Sequence, residues 1–247
     1  KDKVVIVSGI GPGLGQELST LAAKEGASAV VLAARTQAKL DVAEQEIRAL
    51  GLGTAVLKVP TDIADEAQCK ALADRAVQEF GRIDVLFNSA YDPGSFEPIE
   101  EASMDGWRRA MDVNFFGTMH LTQACVRHMK NSGGGAIVMI ATMVEHKPLA
   151  TQAGYGSSKS ALRCATKHLA LELGKYKIRV NSCHMGWMWG PSVEGYFNWQ
   201  AKATGKSQQE LIADVTRAIP LGVIPDDGEC AKAAIFFGSD YSSVVTG

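Results

Sequence analysis

The feature that most restricts how this chain can fold is an alternation. Short apolar runs rich in β-branched residues stand at 4–8, 29–34, 55–60, 84–90, 136–142 and 178–184, and longer amphipathic stretches fill 13–26, 37–50, 65–80, 104–130 and 153–174. The runs are apolar on both faces, as buried parallel strands are, whereas the stretches carry helical periodicity. Repetition of strand, helix and strand predicts an α/β fold: a Rossmann-type, doubly wound parallel sheet with helices on both faces. Asp65 is placed to cap the helix that follows it, and Gly26, Gly51, Gly81 and Gly174 punctuate helix ends. No linker, repeat or low-complexity segment divides the 247 residues, so a single domain is expected over 1–247. A last helical pattern at 227–238 is followed by SSVVTG, which reads as the start of a strand and leaves a continuation past Gly247 open.

Composition serves mainly to exclude. A net charge of −2 with no basic tail argues against nucleic acid as a partner. No apolar run approaches the ~18 residues of a membrane span, and the first strand begins too early to leave room for a secretory leader. The five cysteines form no C-x-x-C pair and read as reduced thiols, so a cytoplasmic protein is expected. His120 and His128 share a helix at a spacing poor for ligation, and no metal site is expected.

Two places carry chemistry. The segment SGIGPGLG, from Ser8 to Gly15, follows the first strand and opens the first helix. Gly9 permits a tight turn, while Gly13 and Gly15 let backbone approach a pyrophosphate and helix approach strand. The helix N-terminus adds unpaired N–H groups and partial positive charge. Ser8, Gly9, Ile10, Gly13, Leu14 and Gly15 are therefore the candidate cofactor cradle. At the end of the second strand, where an acidic residue would read a ribose 2′-hydroxyl, stand Arg35 and Thr36. A guanidinium there pairs with a 2′-phosphate, so NADP(H) is favoured; stacking of Arg35 on the adenine of NAD(H) is the alternative.

The second place is YGSSK at 155–159, on a helix that follows the strand ending in Ala141-Thr142. Tyr155 and Lys159, four apart, share a helix face. A phenol with a pKa of about 10 is a poor base near neutrality. An ammonium ~5 Å away, at an effective dielectric of about 20, is worth about 3 kcal/mol and is expected to lower that pKa by about two units. The Thr142 hydroxyl can hold the substrate oxygen.

In these residues the chain resembles the single-domain Y-x-x-x-K branch of the short-chain dehydrogenase/reductase family, from about residue 3 to 247. The resemblance implies that Tyr155 is the acid/base and that Lys159 assists it and contacts the nicotinamide ribose. It implies that Asn114, in DVNFFG, holds a water of the proton relay. It also implies cofactor contacts from Asp62 and Ile63, from Asn88 and Ala90 of NSAY, and from Gly186. Departures are Thr142 for the family's serine, Met185-Gly186 for its Pro-Gly, a replaced threonine around Gly190, and Tyr91 for a glycine. Homodimers or homotetramers built on the two longest helical stretches are implied too.

The family places a substrate lid at about 187–217. Here it begins WMWGPSVEGYFNW, and Trp187, Trp189, Tyr196 and Trp199, with Tyr91, are candidate substrate contacts for a small apolar or ring-containing molecule. Packing of these rings onto the body, or between subunits, is the alternative. His184 and Glu145 flank the region and read as satisfied polar groups. The expected function is an NAD(P)(H)-dependent oxidoreductase interconverting a carbonyl and an alcohol on such a substrate. A nucleotide-binding regulatory protein, a C=C reductase and an epimerase stay open as alternatives.

Overall fold

In the computed structural model, which describes residues 1–247, the six apolar runs pair side by side in parallel. They are β1 (Val4–Ser8), β2 (Ala29–Ala34), β3 (Ala55–Pro60), β4 (Val85–Asn88), β5 (Gly135–Thr142) and β6 (Ile178–Met185), in the spatial order β3-β2-β1-β4-β5-β6. The helices between them are α1 (Leu14–Lys24), α2 (Gln37–Ala49), α3 (Glu66–Phe80), α4 (Met104–Met111), α5 (Thr118–Met129) and α6 (Ala153–Leu173). Three more, α7 (Pro191–Thr204), α8 (Gln208–Thr216) and α9 (Asp227–Gly238), follow β6. One face of the sheet is sealed by Leu18 of α1, Leu40 and Ile47 of α2, and Ala231 and Ala234 of α9. The other is sealed by Leu72 of α3, Leu121 and Met129 of α5, and Leu162 of α6. Strand order reverses between β1 and β4, which opens a crevice at the carboxyl ends of the strands.

The strand and helix positions match the sequence pattern, with four differences. β3 is not buried on both faces: it is the sheet edge, and its Lys58 bonds Asp41 at 2.7 Å and Glu44 at 2.6 Å on α2. A charged side chain on an edge strand discourages further pairing. The stretch 104–130 is interrupted by a π-helical turn, Asp112–Gly117, which carries Asn114. The lid contains helices that the sequence pattern did not predict: α7 has Pro191 in its first turn, and Gly205 closes it in the left-handed conformation at φ 73°. Ser207 and Glu210 then form a reciprocal capping box at the start of α8. Finally, SSVVTG does not form a strand; Asp240–Ser242 is a single helical turn, though the Gly247 N–H bonds the Val180 carbonyl at 2.9 Å. No helix is long and apolar enough to cross a membrane.

Candidate active site

The crevice holds a cleft of about 690 Å³ that runs from the turn after β1 to the lid. At one end the glycines are required by close approach. A side-chain carbon on Gly9 would stand 2.4 Å from the Ala90 nitrogen, and one on Gly15 would stand 2.2 Å from the Gly9 carbonyl oxygen. Gly13, at φ 107°, is the N-cap of α1 and offers no capping side chain, so the first N–H groups of the helix stay open. This cradle of bare backbone fits a dinucleotide diphosphate. Gly9, Ile10, Gly13, Leu14 and Gly15 all line the cleft; Ser8 does not. Ser8 is fully buried beneath the turn, where its hydroxyl donates to the Phe87 carbonyl at 3.3 Å.

Arg35, Thr36, Asp62, Ile63, Ala90 and Gly186 also line the cleft. Lys39 and Asp227 are among the lining residues that the sequence reading did not single out. Lys39, one turn into α2, places Nζ 3.5 Å from where a side-chain carbon on Gly11 would stand, so it shares the Arg35 end of the cleft. A second cation close behind Arg35 in the sequence was the available signal. Asp227, in the first turn of α9, brings a carboxylate oxygen 3.3 Å from the corresponding position on Gly13, and burial raises its pKa. Asn88 departs from expectation as Ser8 does. It is 2% exposed and outside the lining, donating to the Thr122 hydroxyl at 3.1 Å, so it pegs β4 to α5.

At the other end, Thr142 terminates β5, and Tyr155 and Lys159 project from the first turns of α6; all three line the cleft. The Tyr155 and Thr142 side chains lie together on the cleft wall, close enough for the Thr142 hydroxyl to favour the ionised phenol. Burial pushes the Tyr155 phenol up to about 12, and the neighbouring Thr142 hydroxyl only partly opposes it. The ammonium of Lys159, 2% exposed, is pushed down to about 8 by burial and donates to the Ile140 carbonyl at 2.7 Å. The expected depression of the phenol by the ammonium is thus corrected: burial raises the phenol instead, and Nζ is directed at a backbone carbonyl.

Asn114 lies beneath, fully buried. Its amide donates to the Asp92 carbonyl at 2.8 Å and to the Ser158 hydroxyl at 2.9 Å, and its oxygen accepts from the Asp92 N–H at 2.8 Å. Its side chain is therefore tied to the Asp92 loop and to Ser158 of α6.

Of the substrate candidates, Tyr91 and Trp187 line the cleft, and the Tyr91 ring meets that of Tyr155 edge-on at 6.4 Å. Trp189, Tyr196 and Trp199 do not line it. Trp187 and Trp189 stack on Phe197, which is 1% exposed, and Tyr196 packs against Trp187 and Trp199. Much of the aromatic content thus fastens the lid to itself. The pocket wall is instead completed by Met143, Leu149, Met188 and Val193, with Gln152 as a polar group among them.

All five cysteines are free, and burial raises the thiols of Cys69 to about 12 and Cys183 to about 11. Beside the cleft, Glu145, His146 and His184 bring possible ligand atoms within 4.8 Å of one another, a cluster that linear spacing could not reveal.

A family described as short chain dehydrogenase matches residues 3–200. Cyclohexanol dehydrogenase of an Acinetobacter species is 32% identical, covering 100% of this chain and 91% of that protein. Among solved structures, NAD⁺-bound xylitol dehydrogenase superposes with a TM-score of 0.92 at 29% identity, covering 100% of this chain and 95% of that one. A variant of actinorhodin polyketide ketoreductase with NADPH gives 0.90 at 26% identity, covering 99% and 93%.

Proposed function

The chain belongs to the short-chain dehydrogenase family and is an oxidoreductase, and on that premise we propose that it interconverts a ketone or aldehyde and an alcohol on an apolar, ring-containing substrate, with Tyr155 as acid/base. One observation carries the reading. Tyr155, beside Thr142 and one helical turn from Lys159, lines the same cleft that begins at the glycine cradle. When bound, the nicotinamide supplies or takes up a hydride at the reacting carbon. The chain does the rest. In reduction the neutral Tyr155 hydroxyl donates its proton to the substrate oxygen as negative charge gathers there, and the Thr142 hydroxyl donates a second hydrogen bond. In oxidation the same groups act in reverse. Lys159 offers donors to the ribose, and the apolar wall around Gln152 excludes water.

The similarity to a cyclohexanol dehydrogenase supports a cyclic substrate. The test is turnover of cyclic and aromatic ketones with NADPH or NADH, followed by absorbance. Tyr155→Phe is expected to lower turnover by about 10²- to 10⁴-fold while cofactor affinity stays. Full activity in that variant would overturn the mechanism.

For the cofactor, the reading is NADP(H). Arg35, Lys39 and the N-terminus of α2 form a cationic corner with no carboxylate at the end of β2. NAD(H), with the Arg35 guanidinium stacked on adenine, is the second reading. Arg35→Ala and Lys39→Ala should each raise KM for NADPH about tenfold and leave that for NADH nearly unchanged. Equal losses for both cofactors would reject the 2′-phosphate assignment. The reading extends to a cytoplasmic homodimer or homotetramer, supported by free thiols and by Phe116 and Leu171, exposed on the two longest helical stretches.

A further inference from the structure

Glu145 follows Thr142 on a short helical turn, and its side chain is wholly removed from solvent. A carboxylate in that setting needs partners from the protein. It finds them on three elements. Oε1 accepts from the Thr142 backbone N–H at 3.4 Å, at the end of β5. Oε2 accepts from Arg163 Nε at 2.9 Å, on α6. His184 Nδ1, on β6, stands 3.5 Å from Oε1. Both oxygens are thus engaged within the fold, so the carboxylate is not left to recruit a cation with His146 and His184.

The positions of these partners matter more than their number. Arg163 lies four residues beyond Lys159 and eight beyond Tyr155, on the same side of α6. The Thr142–Glu145 turn is closed by the Val144 N–H, which donates to Thr142 Oγ1 at 3.3 Å. That bond occupies a lone pair of the hydroxyl and leaves its proton for donation outward. None of Glu145, Arg163 and His184 lines the cleft.

We propose that Glu145, clamped by Arg163, is a positioning residue: it ties the strand end bearing Thr142 to the helix bearing Tyr155, so that the two hydroxyls converge on one substrate oxygen. This rests on the catalytic reading of Tyr155 and Thr142 given above. A shift of about 1 Å at a reacting group can cost on the order of 10²-fold in rate, so the loss of this tie falls on turnover rather than on cofactor binding.

The experiment compares Glu145→Ala, Glu145→Gln and Arg163→Gln by steady-state kinetics on a cyclic ketone, by NADPH titration followed through nucleotide fluorescence, and by thermal melting. Glu145→Ala is expected to lower kcat by about 10- to 100-fold, with the NADPH dissociation constant changed less than about threefold. Glu145→Gln keeps the side chain's size and one carbonyl acceptor, enough for Arg163 or Thr142 but not both, and should recover part of that kcat. Arg163→Gln, at a partly exposed site, should show the same split in milder form and stands in should Glu145→Ala not fold. A lowered melting temperature with unchanged kcat would overturn the proposal, as would equal losses in kcat and NADPH affinity. Tyr155→Phe separates the two readings: if it lowers turnover by about 10²-fold or more while Glu145→Ala leaves kcat unchanged, the positioning role alone falls.

Discussion

Lys159 is held in the site against its own solvation. Its ammonium is 2% exposed and has the Ile140 carbonyl at 2.7 Å as its hydrogen-bond partner. Burial therefore lowers its pKa from the ordinary 10.5 to about 8. The unfolded chain binds this proton more tightly than the fold does. The Lys159 contribution to stability is accordingly greatest above pH 10.5, falls as the pH drops toward 8, and then levels off, a change on the order of 3 kcal/mol. Lys159→Met should stabilise the cofactor-free protein at pH 7 by about 1–3 kcal/mol and remove this pH dependence, while abolishing turnover. Denaturant melts at pH 7 and pH 10 would show it, and a less stable Lys159→Met protein would contradict it. Tyr155 shifts the other way, and a phenol kept neutral by burial suits proton donation to a carbonyl.

At the scale of elements, the approach of α6 is decided by a small residue. A side-chain carbon on Gly154 would stand 2.9 Å from Cγ of Trp107 on α4, so the indole lies directly against the backbone just before Tyr155. Gly154→Ala should push the two helices apart, costing about 1–3 kcal/mol of stability and lowering kcat through displacement of Tyr155. Thermal melting and kinetics on the same preparation test this, and a variant unchanged in both would refute the contact. The long helices and most strands were legible because periodicity is local, repeating over a few residues. The edge position of β3 was not, since its neighbours are set by chain topology. The start of α7 was obscured by its aromatic residues, although Pro191 and Gly205 mark its ends. The π-helical turn at Asp112–Gly117 left no sequence signal, and it carries Asn114, which locks the Asp92 loop.

At the scale of the whole molecule, the sheet order gathers Gly9, Arg35, Asp62, Ala90, Thr142 and Tyr155 from distant positions onto one edge. The same scale governs assembly. Light scattering coupled to size exclusion is expected to give a mass of two or four chains, and Phe116→Glu with Leu171→Glu should shift it toward one. A monomeric wild-type protein would remove the proposed assembly. The glycine turn, the four-residue spacing of Tyr155 and Lys159, and the alternation that specifies a doubly wound sheet are properties of near neighbours, and the sequence by itself determined them. Which side chains face the cleft was decided only by the tertiary structure. Ser8 and Asn88 turned beneath it, Asn114 was taken up by Asp92 and Ser158, three lid aromatics faced away, and Glu145 joined three elements. Such outcomes rest on contacts between residues as much as 79 positions apart, and pattern along the chain holds no information about which distant partner claims a given hydrogen bond.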